Sequence, residues 1–249
     1  MAFLMQFLSD NAASVHPQVW EALRAADAAD TPYDTDALSR SLDDVHQVQP
    51  HAVSVTQASE YGCCYRPQEL TALDAEIAPR GLGLHMDGAR FGNAVAFLNV
   101  PPAEASGPAD ALSFGCVKNG AMNAEAIVFF DPELAEVACY RRKRAGHLQS
   151  KGRFLAAQVL AMLEGDLWLH NASAANAAAA EIGAAAGERL LHPVEANEVF
   201  LRCTAAEREV LRGRGFGFYD WGPDAARFVA AWDTREEHAR ALARAIEGL

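Results

Sequence analysis

Several features that would assign a protein to a class at once are missing from this sequence. No stretch of the 249 residues approaches the roughly 20 consecutive apolar residues that a membrane-spanning helix requires. The first residues, from Met1 to Leu8, are apolar but carry no basic segment and no cleavage site of small residues, so we predict no signal peptide. Basic residues are few, 21 against 33 acidic ones, and the net charge of −12 disfavours a general nucleic-acid-binding protein.

Motifs for metal binding and thiol redox chemistry are also missing. The five cysteines contain no C-x-x-C pair and the eight histidines form no H-E-x-x-H motif, so we predict no metal site. Adjacent Cys63 and Cys64 are a conceivable redox pair, but reduced thiols are the usual state inside the cell. We therefore expect a cytoplasmic protein that neither enters a membrane nor binds nucleic acid.

What the sequence contains is the pattern of a globular α/β protein. Its hydrophobic content of 51% and charged content of 22% are typical of folded domains, and its length allows one large domain and a smaller one. Apolar alternation and short apolar runs predict strands at 52–56, 81–86, 111–114 and 126–130. Helical spacing and helix start signals predict helices at 14–29, 67–77, 90–98, 153–163 and 172–186. One face of the helix at 153–163 is predicted to carry Leu155, Val159, Leu160 and Leu163.

The last quarter of the chain has a different pattern, in which strands and helices follow one another as β-α-β-β-α. Strands are predicted at 199–201, 216–221 and 226–232. A capping box beginning at Thr204 and ending at Glu207 predicts the start of one helix, and a second from Thr234 to Glu237 predicts the start of the last. This order is typical of a small α+β domain packed against a larger one.

The candidate site lies where two of the predicted strands end. Asp87 and Arg90 follow the strand at 81–86, and Lys118 follows the strand at 111–114 in a loop bounded by glycines. The interval between Asp87 and Lys118 leaves room for one helix, so the two strands can be neighbours in a sheet. A carboxylate that holds a pyridinium and an amine that forms a Schiff base are what pyridoxal phosphate requires of a protein.

Each of these residues also has a purely structural interpretation. Lys118 can be a solvated surface lysine, and Asp87 can cap the helix that begins near Arg90. Arg90 and Arg227 can be partners in surface ion pairs. The basic run at 141–144 can be a solvated helix face, or it can contact an anion or another subunit.

Six segments of the sequence resemble one enzyme family. The longest reads HMDGARFGNA at 85–94, and the others are SDN at 9–11, DVHQVQP at 44–50, VSVTQ at 53–57, RRKRAGHL at 141–148 and HPVEANEVF at 192–200. Together they resemble the low-specificity L-threonine aldolases of the β-eliminating lyase group. Those proteins are pyridoxal-phosphate enzymes of the aspartate-aminotransferase fold, known as fold type I.

The resemblance implies a fold with three parts. It predicts an N-terminal arm and helix at 1–30 and a cofactor-binding large α/β domain at 31–165. The large domain has a mainly parallel sheet, and a small α+β domain follows at 166–249. The resemblance further implies a homodimer or homotetramer that cleaves L-threonine, L-allo-threonine or related β-hydroxy amino acids to glycine and an aldehyde.

The resemblance also assigns roles to individual residues. Lys118 matches the lysine that binds pyridoxal phosphate as a Schiff base, and Asp87 matches the carboxylate that pairs with the pyridine nitrogen. Arg90 matches an arginine at the same site that serves cofactor and substrate, and Arg227 matches one that binds the substrate carboxylate. A planar guanidinium suits that bidentate contact. Ser9 matches a residue at the mouth of the substrate site.

The sequence departs from the family between Leu42 and Asp43. Family members carry a long block there, which holds the Gly-Thr loop that binds the cofactor phosphate and a histidine that stacks on the pyridine ring. Here the two residues are adjacent, and Val117 stands where the family usually has threonine. The large domain is therefore predicted to be truncated and to expose apolar surface. The alternative function is that of an internally deleted homologue, catalytically impaired or inactive, which acts at most as an interaction subunit.

Overall fold

The computed structural model describes residues 49–249. Ser9, the predicted arm and helix at 1–30 and the junction between Leu42 and Asp43 lie outside the described residues. None of the helices within residues 49–249 is long and apolar enough to cross a membrane.

The first sheet contains four strands in the order β1-β2-β3-β4. They are β1 (Ala52–Thr56), β2 (Gly83–Gly88), β3 (Ala111–Phe114) and β4 (Ala126–Phe129). The first three strands are parallel, and β4 runs antiparallel to β3. Parallel neighbours need crossover connections, which are supplied by α1 (Pro67–Ile77), α2 (Phe91–Leu98) and the short α3 (Pro102–Ser106). The mainly parallel α/β sheet that was predicted is therefore present.

Most predicted boundaries agree with the structure to within two residues. The largest shift among these strands is in β2, which begins at Gly83 because the preceding turn occupies residues 78–82. There Gly81 adopts a left-handed conformation with a φ of 69°, which ends the 3₁₀ helix Ala78–Arg80. A residue without a Cβ adopts that conformation at no steric cost.

The elements after β4 expose many apolar side chains. The helix α4 (Pro132–Arg144) contains no buried residue, and its basic run at 141–144 is exposed as the solvated-face interpretation predicted. In α5 (Arg153–Leu163) the predicted apolar face is only partly covered. Leu160 is 66% exposed and Leu163 is 46% exposed, since no described element packs over them.

The second sheet is antiparallel, with the strand order β5-β7-β6. Its strands and the two helices of this region are β5 (Glu198–Arg202), α7 (Ala205–Gly213), β6 (Tyr219–Asp220), β7 (Ala225–Val229) and α8 (Glu236–Glu247). This is the β-α-β-β-α order that was predicted for the last quarter of the chain.

Only one of the two predicted capping boxes forms. Thr204 Oγ1 accepts a hydrogen bond from the backbone N–H of Glu207 at 3.3 Å, and the Glu207 carboxylate accepts from the backbone N–H of Thr204 at 2.7 Å. The second box is wrong, because α8 begins at Glu236. Thr234 Oγ1 instead accepts from the backbone N–H of Ala231 at 2.8 Å and so closes the turn that follows β7.

A long helix, α6 (Leu167–Ala186), packs against both regions. It begins five residues before the predicted start, because Trp168 belongs to the core of the first sheet, where it stacks on Phe91. Farther along the helix, Ala178 and Ile182 belong to the core of the second sheet. The helix thereby fixes the two sheets relative to each other.

Candidate active site

The ends of β2 and β3 approach closely at the carboxyl edge of the first sheet. The backbone N–H of Gly115 donates to the carbonyl oxygen of Gly88 at 3.1 Å. A Cβ at position 115 would lie 2.7 Å from the Cα of Ala89, so this approach requires glycine. Sequence reasoning identified Gly115 only as a loop boundary, although a glycine directly after an apolar strand is a signal of close approach.

Asp87 is placed at this edge by β2. Its Oδ1 accepts a hydrogen bond from the backbone N–H of Ala89 at 2.9 Å, two residues farther on. The helix-cap alternative is wrong, since α2 begins at Phe91 and its N-cap residue, Arg90, makes no side-chain cap. Asp87 therefore stabilises a tight turn between the strand and the helix, and its carboxylate stays at the strand end.

Lys118 lies in the 3₁₀ turn Val117–Asn119 that follows β3. Two amides attach this turn to α6: Asn119 donates to the carbonyl oxygen of Trp168 at 2.7 Å, and Asn171 donates to the carbonyl oxygen of Asn119 at 2.8 Å. The position of the Lys118 backbone is thus set by the packing of α6 against the sheet.

The environment of Lys118 differs from that of an ordinary surface lysine. The residue is exposed, yet partial burial lowers the pKa of its amine, and the positive charge of Arg90 lowers this pKa further. The carboxylates of Asp87, Glu60 and Glu198 act in the opposite direction but do not cancel the effect. A lysine whose pKa is lowered by burial and a neighbouring cation is typical of Schiff-base sites.

Arg90 and Arg227 meet at one buried carboxylate, that of Glu198. This glutamate is the first residue of β5 and is 1% exposed. Its Oε1 accepts hydrogen bonds from Nε of Arg227 at 2.9 Å and from Nη2 of the same guanidinium. Its Oε2 lies 3.5 Å from Nη1 of Arg90. The interpretation of both arginines as surface ion-pair partners is wrong, since their side chains are only 9% and 12% exposed.

Arg90 retains unused hydrogen-bonding capacity. Its Nε and the Oε2 of Glu198 are buried and have no hydrogen-bond partner among the described residues. Burial lowers the pKa of Arg90, and the negative charge of Glu198 opposes that effect. A buried unpaired donor costs about 1–3 kcal/mol, which makes Arg90 a candidate ligand-binding residue.

Sequence reasoning missed Glu198. The sequence signal for this residue is a carboxylate directly before the apolar run Val199, Phe200 and Leu201. A charge beside a buried strand destabilises the fold unless it is paired, so a partner was to be expected.

The loop after β1 closes one side of the site. The backbone N–H of Gly62 donates to the carbonyl oxygen of Ser59 at 2.9 Å, which closes a turn around Glu60 and Tyr61. A Cβ at Gly62 would lie 3.1 Å from the Cβ of Glu198, so the turn packs directly on the backbone and Cβ of this residue. The charge of Glu60 acts on both Arg90 and Lys118.

An aromatic cluster forms the adjoining wall. The Tyr61 ring lies 4.7 Å from the ring of His192, and the Phe200 ring lies 5.1 Å from that of Trp221. The guanidinium of Arg227 is 5.9 Å from the centre of the Trp221 ring. This packing holds Arg227 in place beside Glu198.

Fold and site together are those of an α/β protein that gathers an amine, a carboxylate and one guanidinium at the ends of parallel strands and adds a second guanidinium from the antiparallel sheet. The family model described as beta-eliminating lyase matches residues 33–206. The chain belongs to this family, as the resemblance predicted.

Known proteins similar to the chain agree with this membership. The low specificity L-threonine aldolase of Pseudomonas aeruginosa is 48% identical over 223 residues, which cover 87% of this chain and 64% of that protein. The enzyme of the same name from Pseudomonas sp. is 44% identical over 226 residues, with 88% and 65% covered. The chain thus spans less than two thirds of the length of these curated relatives.

A solved structure supports the predicted fold. That of a Leishmania major threonine aldolase superposes with a TM-score of 0.77 at 26% identity, covering 82% of this chain and 63% of that one. The prediction of a truncated fold type I domain followed by a smaller α+β region is confirmed by this similarity and by the two sheets.

Proposed function

We propose that this chain is a pyridoxal-phosphate-dependent aldolase that cleaves L-threonine or L-allo-threonine to glycine and an aldehyde. The observation that carries the proposal is the arrangement of Lys118 and Asp87 at neighbouring strand ends, beside buried Arg90 and partly buried Arg227. The names of the Pseudomonas and Leishmania relatives support the same reaction.

The residues present fit the aldehyde and the pyridine nitrogen of the cofactor that enzymes of this family use, while the loop that binds its phosphate in the family belongs to the block missing between Leu42 and Asp43. Lys118, whose pKa is lowered, would hold it through a Schiff base, and Asp87 would pair with its pyridine nitrogen. Arg90, with its unpaired buried Nε, would serve cofactor and substrate. When bound, pyridoxal phosphate supplies an electron sink that allows a bond to the α-carbon of an amino acid to break.

The protein itself contributes proton control and orientation. A lowered pKa leaves a larger fraction of the Lys118 amine unprotonated at neutral pH, and only an unprotonated amine is a nucleophile. Arg90 and Arg227 would bind the substrate carboxylate, which fixes the orientation of the amino acid. Ser9, predicted at the mouth of the substrate site, stays a prediction because it lies outside the described residues.

We further propose that the active species is a homodimer or homotetramer. The exposed apolar side chains of Ile127, Tyr140 and Leu160, each more than 60% exposed, support association with another subunit.

The experiment begins with the purified chain mixed with pyridoxal phosphate. We expect a visible absorbance band of a Schiff base, which borohydride converts to a stable adduct on Lys118, located by mass spectrometry. Addition of L-threonine to a separate sample that has not been reduced should release acetaldehyde. Lys118→Ala should lose the specific adduct and reduce aldehyde release to the background rate. The matched control Lys143→Ala removes an exposed lysine of α4 and should retain both signals.

The same experiment separates the proposal from its alternative. An adduct on Lys118 without any release of aldehyde would support the internally deleted, inactive homologue. Aldehyde release that persists in Lys118→Ala would contradict the assignment of the lysine.

A further inference from the structure

Glu198 makes the candidate carboxylate site unusual in its charge. Two guanidiniums, those of Arg90 and Arg227, face one fully buried carboxylate, so the three side chains carry a net charge of about +1. One more carboxylate brings this group to neutrality. A second would introduce an excess negative charge into a region with little water, where like charges repel strongly.

The two arginines are engaged by Glu198 to different extents. Glu198 occupies Nε and Nη2 of Arg227 through a single oxygen, Oε1. Its other oxygen, Oε2, approaches Arg90 only to 3.5 Å and makes no hydrogen bond, and Nε of Arg90 has no partner among the described residues. Arg90 therefore keeps more of its donors for a further anion than Arg227 does.

The surroundings add no compensating positive charge on the loop side. Glu60 lies on the turn that packs over Glu198, and its charge acts on both Arg90 and Lys118. The other neighbours are the aromatic cluster of Tyr61, His192, Phe200 and Trp221. On the side of the first sheet lie Lys118 and Asp87, whose charges are opposite and offset each other.

We infer that Glu198 limits the arginine pair to one carboxylate and thereby selects amino acids with a neutral side chain over those with a second carboxylate. Glu198 is in this sense a specificity-determining residue. The inference rests on the proposed function in that it takes the Arg90–Arg227 pair as the substrate carboxylate site. The negative charge of Glu198 would repel the second carboxylate of a competing ligand, and such repulsion raises selectivity without any new contact to the preferred ligand.

The test compares acetate with malonate as probes of the full chain. Binding is measured from the shift of thermal unfolding at constant ionic strength, with no turnover involved. We expect the wild-type protein to bind acetate at least as tightly as malonate. In Glu198→Gln the ratio of the two dissociation constants should change in favour of malonate by about tenfold or more, because the opposing charge is removed.

Two further variants show that charge is the cause. Glu198→Asp keeps the carboxylate and should keep the wild-type preference for acetate. Glu207→Gln makes the same chemical change at a carboxylate that pairs with Arg189, away from the site, and should leave the ratio unchanged. In an activity assay, Glu198→Gln should gain on 3-hydroxyaspartate relative to L-threonine.

Each outcome decides the inference. An unchanged ratio in Glu198→Gln, tighter binding of malonate than acetate by the wild type, or no effect of either anion would overturn it. If Glu198→Gln does not fold, the inference is tested by two other results. These are the preference of the wild type for acetate over malonate and the retention of that preference in Glu198→Asp. A shifted ratio without threonine cleavage would reject the proposed function alone, and threonine cleavage with an unshifted ratio would reject the inference alone.

Discussion

Two arginines lie in the interior of the described residues, and their surroundings differ. Arg208, on α7, is 6% exposed and donates to the carbonyl oxygens of Cys203 at 3.0 Å, Pro223 at 3.0 Å and Ala225 at 3.3 Å. Its Nε lies 3.0 Å from the carboxylate of Asp220. Arg90 is 8% exposed, makes one ion pair of 3.5 Å and leaves its Nε without a partner.

The difference separates an arginine whose donors are used within the fold from one that leaves a donor unpaired among the described residues, as the proposed binding role of Arg90 requires. Arg208 satisfies three carbonyl groups at the ends of β5 and β7, so it joins the strands of the second sheet to α7 and has little capacity for a ligand. Arg90 has a buried Nε without a partner, which destabilises the fold, and it lies in the region that also holds Lys118 and Asp87. Native proteins satisfy buried polar groups almost everywhere, and exceptions concentrate where a ligand completes the set.

The largest effect on stability is expected from Arg208→Met. The change leaves the carbonyl oxygens of Cys203, Pro223 and Ala225 without their donor, so the free energy of unfolding should fall by about 3–5 kcal/mol. Urea denaturation measures this loss. Binding of acetate should be unaffected in the folded fraction.

Arg212→Met is the matched control for this change. Arg212 lies one turn farther along α7 and also contacts Asp220, but it makes no carbonyl contacts of this kind. Its loss should cost less than about 1 kcal/mol, because exposed ion pairs contribute little. Equal losses in the free energy of unfolding for both substitutions would contradict the claim that the buried hydrogen bonds of Arg208 contribute more to stability than the exposed ion pairs of Arg212.

Arg90→Met should have the opposite profile. Glu198 keeps its hydrogen bonds to Arg227, and the desolvation cost of the Arg90 charge disappears, so the free energy of unfolding should change by no more than about 1 kcal/mol. Carboxylate affinity should fall by about 10–100-fold, the equivalent of one lost charge-assisted contact. Acetate titration by thermal shift measures this. A protein that loses stability but retains acetate affinity would place Arg90 in the same class as Arg208.

The smallest expected effect concerns the pH dependence of Lys118. The negative charge of Asp87 raises the pKa of this lysine, so Asp87→Asn should lower that pKa further below the ordinary lysine value. The unprotonated amine then forms at lower pH. The pH profile of labelling by an amine-reactive reagent, followed at Lys118 by mass spectrometry, should move to lower pH. Asp220→Asn removes a carboxylate from the Arg208 region and should leave the profile in place. A shift of the profile to higher pH would contradict the assigned electrostatics.

The sequence predicted local elements well because their signals are local. The helix Pro67–Ile77, the strand Ala111–Phe114 and the capping box at Thr204 depend on residues within a few positions of one another. The second capping box was wrong because a local motif does not show which other groups compete for its side chains. The motif at Thr234 has the residue types of a capping box. Its hydroxyl oxygen instead accepts a hydrogen bond from the backbone N–H of Ala231 and so is not available to cap the helix. Likewise, helical spacing placed Leu160 on an apolar face of its helix, but spacing does not indicate whether another element covers that face.

The sequence by itself determined the parallel sheet and the delivery of Asp87 and Lys118 to neighbouring strand ends, because side-chain alternation and crossover length dictate both. Only the tertiary structure decided what Arg90 meets. Its partner Glu198 lies more than 100 residues away on a different sheet, and the two come together because α6 packs on both cores. Burial then couples the charges of Arg90 and Arg227, which the sequence indicated as candidates, to that of Glu198, which it did not indicate, since charges interact strongly only where water is excluded.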